Sequence, residues 1–184
     1  MIASILIANR GEIAVRVVRA CKDLGIRSVV AYSTADKDTL AVQMADQAVC
    51  IGGPETKESY LKSKNIIMAA CLTRCDAVHP GVGFLSENAA FAKAVEDAGL
   101  IFIGPKSETI ALLGNKVAAR KAALEAGLPI TPGSKEAIID LEDAKLTAAQ
   151  VGYPIILKAA AGGGGRGMRI VRKESELASN LALA

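Results

Sequence analysis

Short apolar runs alternate with segments of helical spacing along the first 104 residues of the chain. Brief apolar runs bounded by Gly, Asp or Ser are typical of buried strands. Segments in which apolar residues recur every three or four positions are typical of helices with one buried face. Their alternation predicts an α/β fold built on a doubly wound parallel sheet. The predicted strands are 3–8, 27–33, 47–51, 75–79 and 99–104, and the predicted helices are 11–24, 38–46, 58–74 and 86–98.

The pattern changes after Gly104-Pro105, and a second kind of unit follows. A strand, a glycine-rich loop and another strand indicate a hairpin, which the first unit lacks. We therefore expect a domain boundary between about 105 and 132, and a second unit too short to bury a core by itself, as in a truncated chain. The predicted elements are helices 107–112, 114–126 and 140–151, strands 153–159 and 168–172 around the loop 160–167, and a helix opening at 174.

Composition excludes several classes of protein. The chain is 51% apolar and 22% charged, near the averages of globular domains, and no apolar run approaches the roughly 20 residues of a membrane helix. With six aromatic residues and no Trp, it lacks the means for a base-stacking surface, so we expect neither nucleic acid nor membrane as a partner. The N-terminus has no basic stretch or cleavage site of a signal peptide, which favours the cytoplasm.

The cysteines and the charge point to different conclusions. Cys21, Cys50, Cys71 and Cys75 lack the spacing of a metal site, so we expect buried free thiols in a reducing compartment and no bound metal. The net charge of +3 lies entirely in the last 27 residues, which hold five basic and two acidic side chains. A local excess of this kind favours a small anionic ligand over a long nucleic-acid track.

The glycine run beside Lys158 is the clearest candidate for chemistry. Glycines 162–165 and 167 would let backbone N–H groups approach phosphate oxygens that any Cβ would obstruct, and the Lys158 ammonium could reach the same oxygens. The spacing fits neither a P-loop, which needs Lys-Ser/Thr after the glycines, nor a dinucleotide fingerprint, which opens a helix. A flexible hairpin linker with an unrelated lysine is the alternative.

Two further segments follow predicted strands at the edge where doubly wound sheets bind ligands. Residues 9–12 form either a ligand-contacting turn or only a tight turn into the first helix. In residues 79–88, the glycines at 81 and 83 permit close approach of the backbone, and Ser86 is the expected N-cap of the next helix. For the lone His79 a structural hydrogen bond is favoured over a role as a base, which stays the alternative, and Lys116 alone carries no assignment.

Taken together, five segments resemble one known family. IANRGEIAVRVVRACKDLGI, HPGVGFLSEN, FIGP, GNK and YPIILKAAAGGGGRGMRIV follow one another as in biotin carboxylase, the ATP-dependent component of acetyl-CoA, propionyl-CoA and pyruvate carboxylases. The resemblance covers the whole chain. It implies a Rossmann-like preATP-grasp domain over 1–112, a connecting helix and turn over 113–131, and the incomplete start of an ATP-grasp domain over 132–184.

The resemblance also implies a function. The parent would be a ligase that uses MgATP and bicarbonate to carboxylate biotin on a carrier domain, through carboxyphosphate, for a carboxyltransferase partner. Its site residues would be Lys116, Lys158, Gly162, Gly163, Gly164, Gly165, Gly167 and Met168 for ATP, His79, Gly81, Val82 and Gly83 facing biotin and bicarbonate, and Arg16, Arg19 and Asp23 at a homodimer interface.

This chain departs from the family at Val82, where a Tyr is usual, and at Ala161, where a glycine is usual. The family's Mg²⁺ ligands and catalytic base have no counterpart in these residues, so the resemblance implies that the chain alone is inactive, and monomeric or weakly dimeric. It implies the cytoplasm, or the mitochondrial matrix if a transit peptide was removed. Two other hypotheses for the function stay open. The chain could be a nucleotide-binding or interaction fragment without catalysis, or part of another ATP-grasp ligase.

Overall fold

The computed structural model describes residues 2–134, 136–158 and 168–183. The chain divides into two compact units, Met1–Ala111 and Leu112–Ala184. The strands are β1 Ser4–Ile7, β2 Arg27–Ser33, β3 Gln47–Gly52, β4 Ala77–His79, β5 Ile101–Phe102, β6 Ile155–Leu157 and β7 Arg169–Val171. The helices are α1 Gly11–Asp23, α2 Leu40–Met44, α3 Ser63–Leu72, α4 Ala89–Asp97, α5 Ser107–Gly114, α6 Lys116–Glu125, α7 Leu141–Val151 and α8 Leu177–Leu181.

The first unit is built on a five-stranded sheet in the order β3-β2-β1-β4-β5, with every pairing parallel. The order reverses at β1, which pairs with β2 on one side and β4 on the other. This is the doubly wound parallel sheet that the sequence predicts. Its reversal point lies where the carboxyl ends of β1 and β4 adjoin, the place at which such sheets bind ligands.

Each face of this sheet has its own core, because successive side chains of a strand point to opposite faces. Ile5 and Ile7 of β1 pack with Ala14, Val18 and Cys21 of α1 on one face. On the other face, Leu6 and Val29 belong to a larger cluster that includes Ile66 of α3 and Phe91 of α4. Strands buried on both faces explain the continuous apolar runs in the sequence.

Two local predictions in the first unit are wrong. The segment 58–74 is not one helix: a turn of 3-10 helix at Thr56–Glu58 is followed by α3 from Ser63 only, with the ring of Tyr60 buried between them. Ser86 is not the N-cap of α4. Asn88 has that role, and its side chain accepts a hydrogen bond from the Phe91 N–H at 2.9 Å.

The second unit contains an antiparallel hairpin of β6 and β7, as predicted. One side of the hairpin packs against α7 and α8 around four buried side chains, those of Ala144, Ala148, Val171 and Leu177. The expectation that the second unit cannot bury a core by itself is therefore wrong in part, because α7 packs with α8 and the hairpin around a small one.

The cysteine prediction is correct for two residues and wrong for two. All four thiols are free, but Cys50 and Cys71 are exposed while Cys21 and Cys75 are buried. Burial raises the pKa of both buried thiols. Within the described ranges, no helix is long and apolar enough to span a membrane.

Candidate functional site

The turn after β1 and the segment after β4 meet at the carboxyl edge of the sheet. Because the two strands are adjacent and parallel, Ile7 pairs with His79, and the chain continues from both strands on the same side. Residues 80–84 are called the 80–84 loop below. The three residues of this loop that the family resemblance selects are Gly81, Val82 and Gly83.

The side chain of Asn9 connects the two segments. Its Nδ2 donates to the Pro80 carbonyl at 2.8 Å and to the Val82 carbonyl at 2.9 Å. Its Oδ1 accepts from the Arg10 N–H at 2.9 Å. The residue is buried, with 3% of its surface exposed. The turn after β1 therefore does more than redirect the chain into α1, since it holds the 80–84 loop.

Gly81 and His79 shape the start of the loop. Gly81 has φ +69°, and a Cβ there would lie 2.5 Å from Asn9 Nδ2, so the close approach predicted for both glycines is confirmed at Gly81. It is not found at Gly83, where a Cβ would meet nothing within 4 Å. The Gly81 N–H donates to His79 Nδ1 at 3.0 Å. Burial lowers the pKa of His79, which favours the neutral imidazole that can accept this bond. His79 thus makes the structural hydrogen bond that the sequence favours.

An aromatic and charged cluster surrounds the far end of the loop. The rings of Tyr60 and Phe84 stack with centroids 5.0 Å apart, and the Arg10 guanidinium lies 5.7 and 5.6 Å from the two centroids. The Tyr60 hydroxyl donates to Asp36 Oδ2 at 2.8 Å and accepts from the Ser33 N–H at 3.1 Å. Burial raises the pKa of Tyr60 to about 12, so it remains a donor at neutral pH.

Sequence reasoning missed this cluster. Arg10 also lies 3.9 Å from Asp36, which follows β2, while Tyr60 follows β3. No motif joins these positions, and only the strand order brings them together. Arg10, Asp36, Val82 and Phe84 line an open groove of about 530 Å³ beside the first turn of α1. Its lining combines one cation, two carboxylates (Glu12 is the second) and apolar surface, which suits a small polar ligand.

The three residues of α1 that the family resemblance assigns to a homodimer interface lie on the surface. Arg16, Arg19 and Asp23 are exposed and line a groove of about 660 Å³ between α1 and α2, together with Leu40. The structure thus places the three residues together on one exposed helix face.

Lys158 and Met168 flank the glycine run on one face of the hairpin. Leu157 pairs with Arg169, so Lys158 and Met168 come next on the two strands. Both are exposed, like Ile156 and Ile170, whereas the alternate positions face the small core. The open face therefore combines an ammonium with apolar side chains, which suits the phosphates and the base of a nucleotide. The predicted glycines 162–165 and 167 lie outside the described residues.

Lys116 is exposed at the first position of α6, and Asn115 caps that helix by accepting from the N–H groups of Val117 and Ala118. In the described part of the chain, no group of three or more His, Cys, Asp or Glu is arranged to hold a metal ion. The described residues can thus offer cations and apolar surface to a nucleotide but no carboxylate cluster to its Mg²⁺.

Comparison with known families and proteins covers the whole chain. Residues 1–110 match the family "Biotin carboxylase, N-terminal domain", and residues 115–184 match "Carbamoyl-phosphate synthase L chain, ATP binding domain". Biotin carboxylase 1 of Bacillus subtilis is 52% identical over 183 residues, and biotin carboxylase of Haemophilus influenzae is 52% identical over 184. Each comparison covers 100% of this chain, which spans 41% of the length of each relative.

Solved structures agree with these matches. A biotin carboxylase of Campylobacter jejuni in complex with β,γ-ATP superposes with a TM-score of 0.94 at 47% identity, over 100% of this chain and 41% of that one. A biotin carboxylase domain dimer of the Hydrogenobacter thermophilus 2-oxoglutarate carboxylase, with MgADP, ADP and bicarbonate, has a TM-score of 0.92 at 45% identity, over 99% of this chain and 40% of that one. Sequence motifs, sheet topology and both kinds of comparison thus agree, and the chain belongs to the biotin carboxylase family.

Proposed function

We propose that this chain is the N-terminal part of a biotin carboxylase, a ligase that uses MgATP and bicarbonate to carboxylate biotin on a carrier domain. The observation that carries the proposal is the match to biotin carboxylases along the whole chain at 52% sequence identity. Another ATP-grasp ligase is disfavoured, because the match over residues 1–110 is to the biotin carboxylase N-terminal domain itself.

In this proposal the hairpin binds the nucleotide. Ile156, Ile170 and Met168 would contact the base, while Lys158 and Lys116 would approach the phosphates. The glycines 162–165 and 167 would close over those phosphates through backbone N–H groups. ATP supplies the phosphoryl group that activates bicarbonate as carboxyphosphate. The exposure of Lys158 and of the apolar side chains beside it supports this role, because no described residue of the second unit covers that face.

The 80–84 loop would face biotin and bicarbonate. His79, Gly81, Val82 and Gly83 lie at the carboxyl edge of the sheet, where the loop leaves Val82 70% exposed. An isopropyl group at this position offers less contact area than the tyrosine usual in the family. We therefore expect weaker apolar contact with the biotin ring here than in relatives with Tyr.

Metal binding and the final chemistry would depend on residues outside this chain. The described residues hold no carboxylate cluster for Mg²⁺, so we expect no turnover from the 184 residues alone. The carrier domain and a carboxyltransferase would be the partners, and Arg16, Arg19 and Asp23 would contribute to a homodimer. The isolated chain would be a monomer or weak dimer, since two exposed arginines and one carboxylate form a small interface.

The test is bicarbonate-dependent ATP cleavage with free biotin, measured on the full-length protein that carries this chain. Lys158→Ala should lower kcat/KM for ATP about 10- to 100-fold, the loss expected for one charge-assisted contact. Lys173→Ala is the matched control, because Lys173 is also an exposed cation of the second unit but lies beyond β7. Equal effects of the two substitutions would contradict the nucleotide assignment, and no bicarbonate-dependent cleavage in the unsubstituted protein would overturn the proposed function.

A further inference from the structure

We propose that Asn9 is a positioning residue that holds the 80–84 loop in its active geometry, so that it controls the use of biotin and not of ATP. The inference rests on the proposed function, because the link between the 80–84 loop and biotin comes from that proposal. Asn9 itself reaches no ligand in this proposal. It acts through Pro80 and Val82, whose carbonyls it binds.

The hydrogen-bonding capacity of the amide matches its surroundings. A neutral amide has two N–H donors and one carbonyl acceptor. In Asn9 both donors are used on loop carbonyls, and the acceptor takes the Arg10 N–H. A carboxylate at this position would place negative oxygen against two carbonyl oxygens at 2.8 and 2.9 Å. An alanine would leave both carbonyls without these partners, that of Pro80 in a buried place and that of Val82 in a half-buried one. The three hydrogen bonds therefore favour asparagine over aspartate and alanine at this position.

The shape of the loop is adapted to the same side chain. At Gly81 a Cβ would lie 2.5 Å from Asn9 Nδ2 and 2.7 Å from its Cβ and Cγ. Gly83 also has a positive φ, of +73°, but a Cβ there would meet nothing within 4 Å. Gly81 is thus required by contact with Asn9 as well as by its backbone conformation, whereas Gly83 is required by its conformation only.

The loop is held at its other end by a second, independent anchor. Phe84 has φ 44°, a conformation rare for a bulky residue, and its ring stacks on Tyr60. Val82 lies between the two anchors with its side chain exposed and its carbonyl bound by Asn9. Release of the Asn9 bonds would free the middle of the loop while the Phe84 stack keeps its end in place. The expected effect is therefore local.

Hydrogen exchange on the complete 184-residue chain tests the structural half of the inference. Asn9→Asp should raise the exchange of backbone amides in residues 81–83 at least tenfold, with the amides of β1 and β4 unchanged. Asn65→Asp is the matched control, because Asn65 Nδ2 also donates to a backbone carbonyl, that of Ile51, at 2.7 Å. It should leave the loop unchanged. Unchanged loop exchange in Asn9→Asp would overturn the inference, as would loosening spread over the whole sheet.

Steady-state kinetics of the full-length protein test the functional half. Asn9→Asp should raise KM for free biotin about tenfold and leave KM for ATP within twofold, whereas Asn65→Asp should move neither constant. Equal changes in both constants would indicate a general structural defect and overturn the positioning role. If the unsubstituted protein shows no bicarbonate-dependent ATP cleavage, the proposed function itself is overturned. If the unsubstituted protein is active and Asn9→Asp leaves the KM for biotin unchanged, only the positioning role of Asn9 is overturned.

A double-mutant comparison keeps the test decisive if Asn9→Asp fails to fold. Gly81→Ala should strongly loosen the loop when Asn9 is present, because the added methyl meets the amide. In the Asn9→Ala background the same substitution should have a smaller effect, because the clash with the amide group is gone and only the 2.7 Å contact with Cβ and the backbone strain remain. Strictly additive effects of the two substitutions on loop exchange would contradict direct coupling of these residues.

Discussion

The two units of the chain bury their β-structure to very different extents. In the first unit, helices cover both faces of a five-stranded sheet, and the central strand β1 is buried along its whole length. In the second, helices cover one face of a two-stranded hairpin, and Ile156 on the other face is 53% exposed. Apolar strands are thus covered by helices on both faces in the first unit and on one face in the second.

The difference separates residues that stabilise the fold from residues available for binding. In a sheet covered on both faces, ligands can reach only the ends of the strands, and the candidate site of the first unit lies there, at Asn9 and the 80–84 loop. In the half-covered hairpin, the open face itself is available, and Lys158 lies on it. Four predictions use this comparison, from the largest effect to the smallest.

Leu6→Ala should give the largest effect on stability. Leu6 is fully buried in the middle of β1, so its truncation leaves a cavity that the surrounding sheet cannot close. The expected loss is about 3–5 kcal/mol for unfolding of the first unit. Urea denaturation followed by circular dichroism measures it. Leu24→Ala is the control, because Leu24 is 72% exposed and should cost less than about 1 kcal/mol.

Leu177→Ala should unfold the second unit selectively. Leu177 is one of the four buried side chains of that unit's cluster and should cost about 2–3 kcal/mol. Because so few other contacts remain, we expect α7 and the hairpin to lose protection from hydrogen exchange while β1 keeps its own. Leu183→Ala serves as the control, since that side chain is mostly exposed. Loss of protection in both units together would contradict the selective effect expected on the second unit.

Two neighbouring residues of β6 compare the faces of the hairpin directly. Ile155 belongs to the small core and Ile156 does not, although both lie in the same strand. Ile155→Ala should cost about 1–2 kcal/mol and Ile156→Ala roughly half of that, because both lose strand propensity but only the first loses buried contacts. Nucleotide binding should show the opposite order, with the larger loss in Ile156→Ala. Titration of the full-length protein with MgATP measures it.

The smallest effect concerns the pH dependence of the first unit. Burial lowers the pKa of His79 below its usual 6.5, so the unfolded chain binds a proton more readily than the folded one. Stability should therefore fall as the pH drops below about 6.5, and stop falling once the folded imidazole is also protonated. His79 is the only histidine, so its single set of ring resonances in NMR reports the pKa directly. His79→Gln should remove this part of the pH dependence.

Local pattern was sufficient for most elements and failed where a distant contact decides the outcome. The strands of the first unit and the hairpin around the glycine run follow from their apolar runs and turn residues. The predicted helix 58–74 fails because Tyr60 turns inward to bond Asp36 and the Ser33 N–H, and these partners lie more than twenty residues away. Ser86 is a suitable N-cap by residue type, but α4 begins only at Ala89, and Asn88 caps the helix instead.

The sequence by itself determined the parallel doubly wound sheet, the hairpin and the family, because these depend on the period of apolar residues and on motifs read along the chain. Only the tertiary structure decided which segments meet. Asn9 reaches Pro80 and Val82 because β1 and β4 pair, and Arg10, Asp36 and Phe84 surround one groove because the carboxyl ends of β1, β2 and β4 adjoin. Contacts across seventy residues depend on strand order, which alternating apolar runs do not encode.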